Sequence, residues 1–186
     1  MAQNVNRRPL QLAVWVLVPL AIAAVVLIAC GRVIKSSSSG NIADVKLDGK
    51  TFHLELAVDP DVRTKGLGGR DKIADDGGML FVFPQPMTTA FVMRDCPIPI
   101  DIIFLDGSSR IIAMHKMVAE APRGPDEQNP PGQSYNEKYE ERLKKYPSKF
   151  ATQFVIELKG NTLDSLKLKE GQKIDLDTVE LKKRAK

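Results

Sequence analysis

The chain has 186 residues, 43% of them hydrophobic and 27% charged, a balance that excludes wholesale disorder and leaves room for one ordinary domain. Its net charge of +4 is carried at the ends: without Arg7, Arg8, Lys182, Lys183, Arg184 and Lys186, the 27 basic side chains fall to 21, against 23 acidic ones. No basic cluster is left in the body, so no nucleic-acid partner is expected, and segment 182–186 reads as a solvated basic tail with attraction to anionic lipid headgroups as a second reading.

Arg7 and Arg8 precede an apolar run from Leu10 to Ala29 that only Gln11 interrupts, the basic-then-apolar order of a secretory signal. The run closes on Leu27-Ile28-Ala29-Cys30-Gly31, which resembles the lipobox of bacterial lipoproteins. That resemblance implies cleavage before Cys30 and acylation of it, with several acyl chains giving durable anchoring where one gives little. Residues 1–29 are then a signal segment and 30–43 a lipidated cysteine with a polar tether through Ser36-Ser37-Ser38-Ser39. The alternative is an uncleaved transmembrane helix, since 20 residues suffice to cross a bilayer. Arg32 and Lys35 beyond the run oppose that orientation. A twin-arginine signal fits poorly, because Pro9 and Leu10 follow the arginine pair. The absence of aspartate after Cys30 hints away from inner-membrane retention.

The globular domain is expected over 44–181. Val45 to Leu47, Asp48-Gly49 and Thr51 to Val58 spell a β-hairpin. Asp59 and Pro60 open a short helix that Gly66 ends. Met79 to Phe83 is a strand buried on both faces, and Phe91 to Met93, Ile100 to Leu105 and Arg110 to Val118 are further strands. A polar insertion, 119–150, carries a helix started by a Ser134/Glu137 capping box, with Tyr135, Tyr139, Leu143 and Tyr146 as its apolar stripe. Phe154, Ile156 and Leu158 alternate inward, a short helix covers Thr162 to Leu168, and Lys173 to Leu181 is the last strand. The sum is an α+β domain, mostly antiparallel β: a compact curled sheet or partial barrel with two or three short helices.

The stretches Gly66-Leu67-Gly68-Gly69-Arg70, Gly78-Met79-Leu80-Phe81-Val82-Phe83, Phe91-Val92-Met93-Arg94 and Ile98-Pro99-Ile100-Asp101-Ile102-Ile103-Phe104 occur in that order. Phe154-Val155-Ile156-Glu157-Leu158 and Leu168-Lys169-Glu170-Gly171-Gln172 follow. Together, over roughly Val45 to Leu176, the chain resembles the bacterial and archaeal family named domain of unknown function 192. The resemblance implies a small, mostly-β, often exported domain with no established activity. Val92 stands where the family usually has tryptophan and Gly68 where methionine is usual, and the insertion is longer than in most members.

Asp101 shares a strand face with Ile103 and Leu105, and a buried carboxylate needs a partner. Arg94 and Arg70 are the expected ones, as a structural ion pair or a candidate binding site, with a turn cap as the other structural reading. Cys96, the one thiol left if Cys30 is acylated, is a small buried residue or a nucleophile beside His115 or His53. Met79, Met87, Met93, Met114 and Met117, with His115 and Cys96, are core residues or soft copper ligands, although Met114 should face away from His115 and Met117. The glycines at 66, 68 and 69 lack the strand–loop–helix setting of a phosphate loop. No zinc spacing and no Ser-His-Asp pattern is evident.

The expected function is therefore a membrane-anchored extracytoplasmic module, non-catalytic, with no cofactor and no metal. Its partners would be the bilayer, through acylated Cys30, and an envelope protein or small ligand met by the insertion and the Arg94–Asp101 loop. The first alternative is a hydrolase-like envelope enzyme using Asp101 with Arg94 or Cys96, and the second is a copper-binding protein using Met and His.

Overall fold

The computed structural model describes residues 40–186. The signal segment, Cys30 and most of the tether lie outside the described residues. Strands β1 (Ile42–Leu47) and β2 (Lys50–Ala57) form the expected antiparallel hairpin. Asp48 and Gly49, both at positive φ, make a turn whose twist matches the strands. Helix α1 (Pro60–Lys65) carries the chain across to β3 (Gly77–Met87), which lies parallel to β2. After the two-residue β4 (Ala90–Phe91) come β5 (Ile100–Leu105) and β6 (Ile111–Met117). The insertion holds α2 (Glu137–Arg142) and β7 (Tyr146–Pro147); β8 (Thr152–Lys159) and α3 (Thr178–Arg184) complete the domain. The six-stranded sheet has the order β1-β2-β3-β8-β5-β6, and β4 with β7 forms a separate ribbon. It is a mixed, curled sheet that does not close, antiparallel except at β2–β3.

Period-2 alternation sends side chains to two apolar layers. One layer joins Leu54, Leu80, Ile103, Phe154 and Ile156 to Leu166, Ile174 and Leu181 from the C-terminal segment. The other joins Met79, Phe81, Ile102, Phe104 and Val155 to Leu67, Met93, Cys96 and Tyr146. Each large side chain so buried stabilises the fold by about 1.5–3 kcal/mol. Edge-on ring contacts run through the second layer, Phe81–Phe91 at 5.2 Å and Phe91–Phe104 at 5.5 Å between centroids, so even the short β4 is locked to the sheet.

Several elements differ from the sequence reading. Lys173 to Leu181 is not a strand: only Lys173 bridges to Arg110. Asp177 accepts a hydrogen bond from the Glu180 N–H and so starts α3, whose last turn holds Lys182, Lys183 and Arg184, charges that favour a helix C-terminus. Asn136 rather than Ser134 caps α2, accepting from the Tyr139 N–H at 3.0 Å. The helix read over Thr162 to Leu168 is a 3-10 turn of four residues, Thr162–Ser165. Strand pairing at Phe91 stops before Met93, because a turn with Asp95 at φ 52 follows.

The insertion is pinned through Tyr139, which is buried between the Arg123 and Arg142 guanidinium groups, 3.7 and 4.8 Å from its ring centroid. Its hydroxyl accepts from the Asp95 N–H at 2.9 Å. Leu143 and Tyr146 are buried with it, whereas Tyr135 is 54% exposed and does not belong to the stripe.

Candidate functional site: a glycine turn over a buried carboxyl

The sheet keeps Asp101 apart from the arginines expected as its partners. Asp101 is 1% exposed, and its Oδ2 accepts from the Leu163 N–H at 2.7 Å. It neither touches Arg94 nor Arg70, and the expected pairing is corrected to a cap on the turn that leaves β8. The reason is register: Asp101 lies opposite Leu158 near the end of β8, with its side chain on the face of Ile103 and Leu105. Burial pushes its carboxyl above the usual range, against the pull of the Leu163 and Asn161 N–H groups and of Lys116. The arginines lie beside the second layer. The Gly69 N–H donates to the Asp95 carbonyl at 2.8 Å, which brings Arg70 and Arg94 into one neighbourhood. Each has its own carboxylate: Arg70 donates to both oxygens of Glu55 at 2.6 and 2.7 Å, and Arg94 to both of Glu140 at 2.5 and 2.6 Å. The Arg94 loop and the insertion thus spend their charges on each other, Arg123 on Asp95 included.

Cys96 is buried, and its Sγ–H donates to the Arg94 carbonyl at 3.4 Å. Burial, seconded by the negative charges of Glu157 and Asp95, pushes the thiol up to about 12. His115 bonds the Pro147 carbonyl at 2.8 Å and His53 the Asp44 carboxylate at 2.6 Å, so neither histidine is placed as its base. Iodoacetamide at pH 8 should therefore alkylate Cys96 about a thousandfold more slowly than an ordinary thiol, a rise of about three units from 9.0. Labelling of the folded chain as fast as free cysteine would contradict this placement. Met79, Met93, Met117 and Cys96 pack in the second layer and Met114 in the first, while Met87 is exposed. Among the described residues no group of three or more His, Cys, Asp or Glu side chains is placed to hold a metal.

A different carboxyl stands out. Register aligns Glu55 of β2, Met79 of β3, Glu157 of β8 and Ile102 of β5 in one row across the sheet. Glu157 is 5% exposed, and its Oε2 has no hydrogen-bond partner. Burial pushes its carboxyl up to about 8, opposed by the Leu67 N–H and the Arg70 charge. The turn after α1 covers it. A Cβ at Gly66 would stand 3.7 Å from Glu157 Oε2 and 3.3 Å from Phe81 Cζ, so a side chain there would lie on the carboxyl. Beside this turn an open depression of about 460 Å³ is lined by Glu55, Asp61, Lys65, Gly66, Gly68, Arg70 and Met79.

Sequence reasoning passed over Glu157 because it alternates with Phe154, Ile156 and Leu158 and so reads as facing water. The available signal was Val155, an apolar residue on that same face. What the pattern could not show is that β8 lies between β3 and β5 with both faces covered.

A family model described as "Uncharacterized ACR", domain of unknown function 192, matches residues 43–176. The chain belongs to that family. The match to domain of unknown function 192 takes in the sheet from Ala43 onward and stops before α3. A solved structure of a protein of unknown function from Novosphingobium aromaticivorans is similar at 26% identity, covering 73% of this chain and 85% of that one with a TM-score of 0.57. A putative transcription regulator from Sinorhizobium meliloti is similar at 24% identity, covering 71% and 89% with a TM-score of 0.54, a likeness of fold alone. No curated protein matches.

Proposed function

We propose that this member of the family is an extracytoplasmic, lipid-anchored binding module, tethered to the membrane through acylated Cys30. The observation that carries the binding role is the open depression at the Gly66–Arg70 turn, a turn whose Gly66 also covers the unpartnered Glu157 carboxyl. Leaving one oxygen of a buried carboxyl unmade costs about 1–3 kcal/mol, and such a group in a native fold calls for a use. The anchor rests on the sequence: Arg7-Arg8, the apolar run and Leu27-Ile28-Ala29-Cys30. Held on a polar, serine-rich segment, a small domain meets ligands near the membrane surface without leaving it.

Expression of the full chain in a bacterium, followed by intact mass measurement of the membrane fraction, tests the anchor. The expected species begins at Cys30 and exceeds the mass of residues 30–186 by its acyl chains, and Cys30→Ala should remain uncleaved at its full length. An unmodified Cys30 in a full-length chain would replace lipidation by a membrane-spanning segment or by no anchor.

A further inference from the structure

We propose that the end of the sheet at which the chain enters the fold is a docking surface for an anionic lipid bilayer. Phe150 and Met87 enter the headgroup layer there, and α3 supplies the positive charge. The inference rests on the anchor proposed above and adds the face that the domain turns to the membrane.

The apolar part is a pair of neighbouring side chains. Met87 at the end of β3 pairs with Thr152, and the Ser148 N–H donates to the Thr89 carbonyl, so residues 87–89 run beside 148–152. Met87 is 45% and Phe150 66% exposed. Lys149, at φ 64, turns the chain just before Phe150 and is itself half exposed. An aromatic ring next to a lysine suits the boundary between headgroups and acyl chains, where the ring is buried and the ammonium reaches phosphate.

The basic part lies across the same end. Segment 181–186 holds four bases and no acid. Lys182 donates to the Gly107 carbonyl in the β5–β6 turn, Arg184 to the Gly40 carbonyl before β1, and the Lys186 N–H to the Val58 carbonyl after β2. These bonds stretch α3 along the edge formed by the ends of β2 and β5 and the start of β8. Lys183 and Lys186 are exposed, and so are their carboxylate partners, Glu180 at 3.5 Å and Asp59 at 2.9 Å. Exposed pairs of this kind hold so weakly that lipid phosphate can replace the carboxylate.

Connectivity selects the partner. From Cys30 to Gly40 the chain spans about 35 Å even at full extension, close to the width of a domain of this size. The end that carries Gly40 is therefore the end held nearest the lipid, and a bilayer is the partner that this placement supplies.

The test reconstitutes the full chain carrying Trp15→Phe, which removes its one tryptophan. The vesicles hold phosphatidylglycerol and phosphatidylcholine in equal parts, with bromine high on the acyl chains. Phe150→Trp adds a reporter at the docking surface, and Val118→Trp a control at the opposite end of the sheet, next to the Met117–Ile100 pair. Both positions are exposed, so both variants should melt as the parent does. Bromine should quench the Phe150→Trp emission and shift it to the blue, leaving the Val118→Trp emission unchanged. Adding Lys183→Glu with Lys186→Glu, or using phosphatidylcholine alone, should lower the docked-to-undocked ratio at least about tenfold, since each lysine near anionic lipid is worth about fivefold. Equal quenching of the two reporters, or none of either while the chain floats with the vesicles, would overturn the docking and leave the anchor standing. Quenching that neither the lysine changes nor the lipid charge moves would do the same. A chain that does not float with the vesicles would overturn both.

Discussion

Glu157→Gln should be more stable than the parent at pH 8 by up to about 4 kcal/mol, and the gap should close as the pH falls towards 5. The parent's carboxyl is pushed up to about 8 in the fold from an ordinary value of 4.5. A group whose proton affinity is raised by folding contributes stability that is fully present below its unfolded value. That stability is lost as the pH rises through the folded one. Each pH unit in that window costs about 1.4 kcal/mol, which over three units gives the figure above. Glutamine has the shape of the protonated acid and never charges, so the variant is spared this loss. Urea unfolding of both proteins at several pH values cancels the other titrating groups in the difference. A gap that does not change with pH, or a glutamine variant less stable throughout, would mean that Glu157 is solvated or ion-paired.

Gly78→Ala should destabilise the domain by about 3 kcal/mol, roughly the upper end for overpacking a rigid interior, and lower the melting temperature by about 10 °C. Gly78 pairs with Leu158 in the β3–β8 ladder. A Cβ there would stand 2.2 Å from the Glu157 carbonyl oxygen and 3.0 Å from the Leu54 side chain. The obstacle is backbone in a central strand, which cannot swing aside as a side-chain tip would. Gly69→Ala is the matched control: its φ is +76 but its Cβ would meet nothing within 4 Å, so only left-handed strain of about 1 kcal/mol is expected. Equal losses from the two substitutions in thermal unfolding would contradict the β3–β8 register.

The contrast between these glycines also shows what was legible beforehand. Local signals carried well: Asp48-Gly49 between alternating strands gave the hairpin, and the unbroken apolar run of Ile100 to Leu105 gave a strand buried throughout. Short-range chemistry with two near-equal candidates did not, as at α2, where Asn136 outcompeted Ser134 two residues away. At the chain end, the alternating apolar residues from Lys173 to Leu181 imitated a strand until Asp177 was seen to cap a helix. The site was least legible. Asp101, Arg70 and Arg94 were rightly read as side chains needing partners, but partners are set by strand order. β8 inserts between β3 and β5, so Asp101 meets Leu163 and the arginines meet Glu55 and Glu140. The same insertion buries Glu157, which alternation alone sends to solvent.

The most direct test of the site is a pH titration of the Glu157 side-chain carboxyl by carbon NMR in the full chain labelled at glutamate, with Glu157→Gln to assign the signal. A midpoint near 8 is expected, well apart from the other glutamates. A midpoint near 4.5 would mean that water or a counter-charge already serves this carboxyl, and the depression would lose its claim as a ligand site.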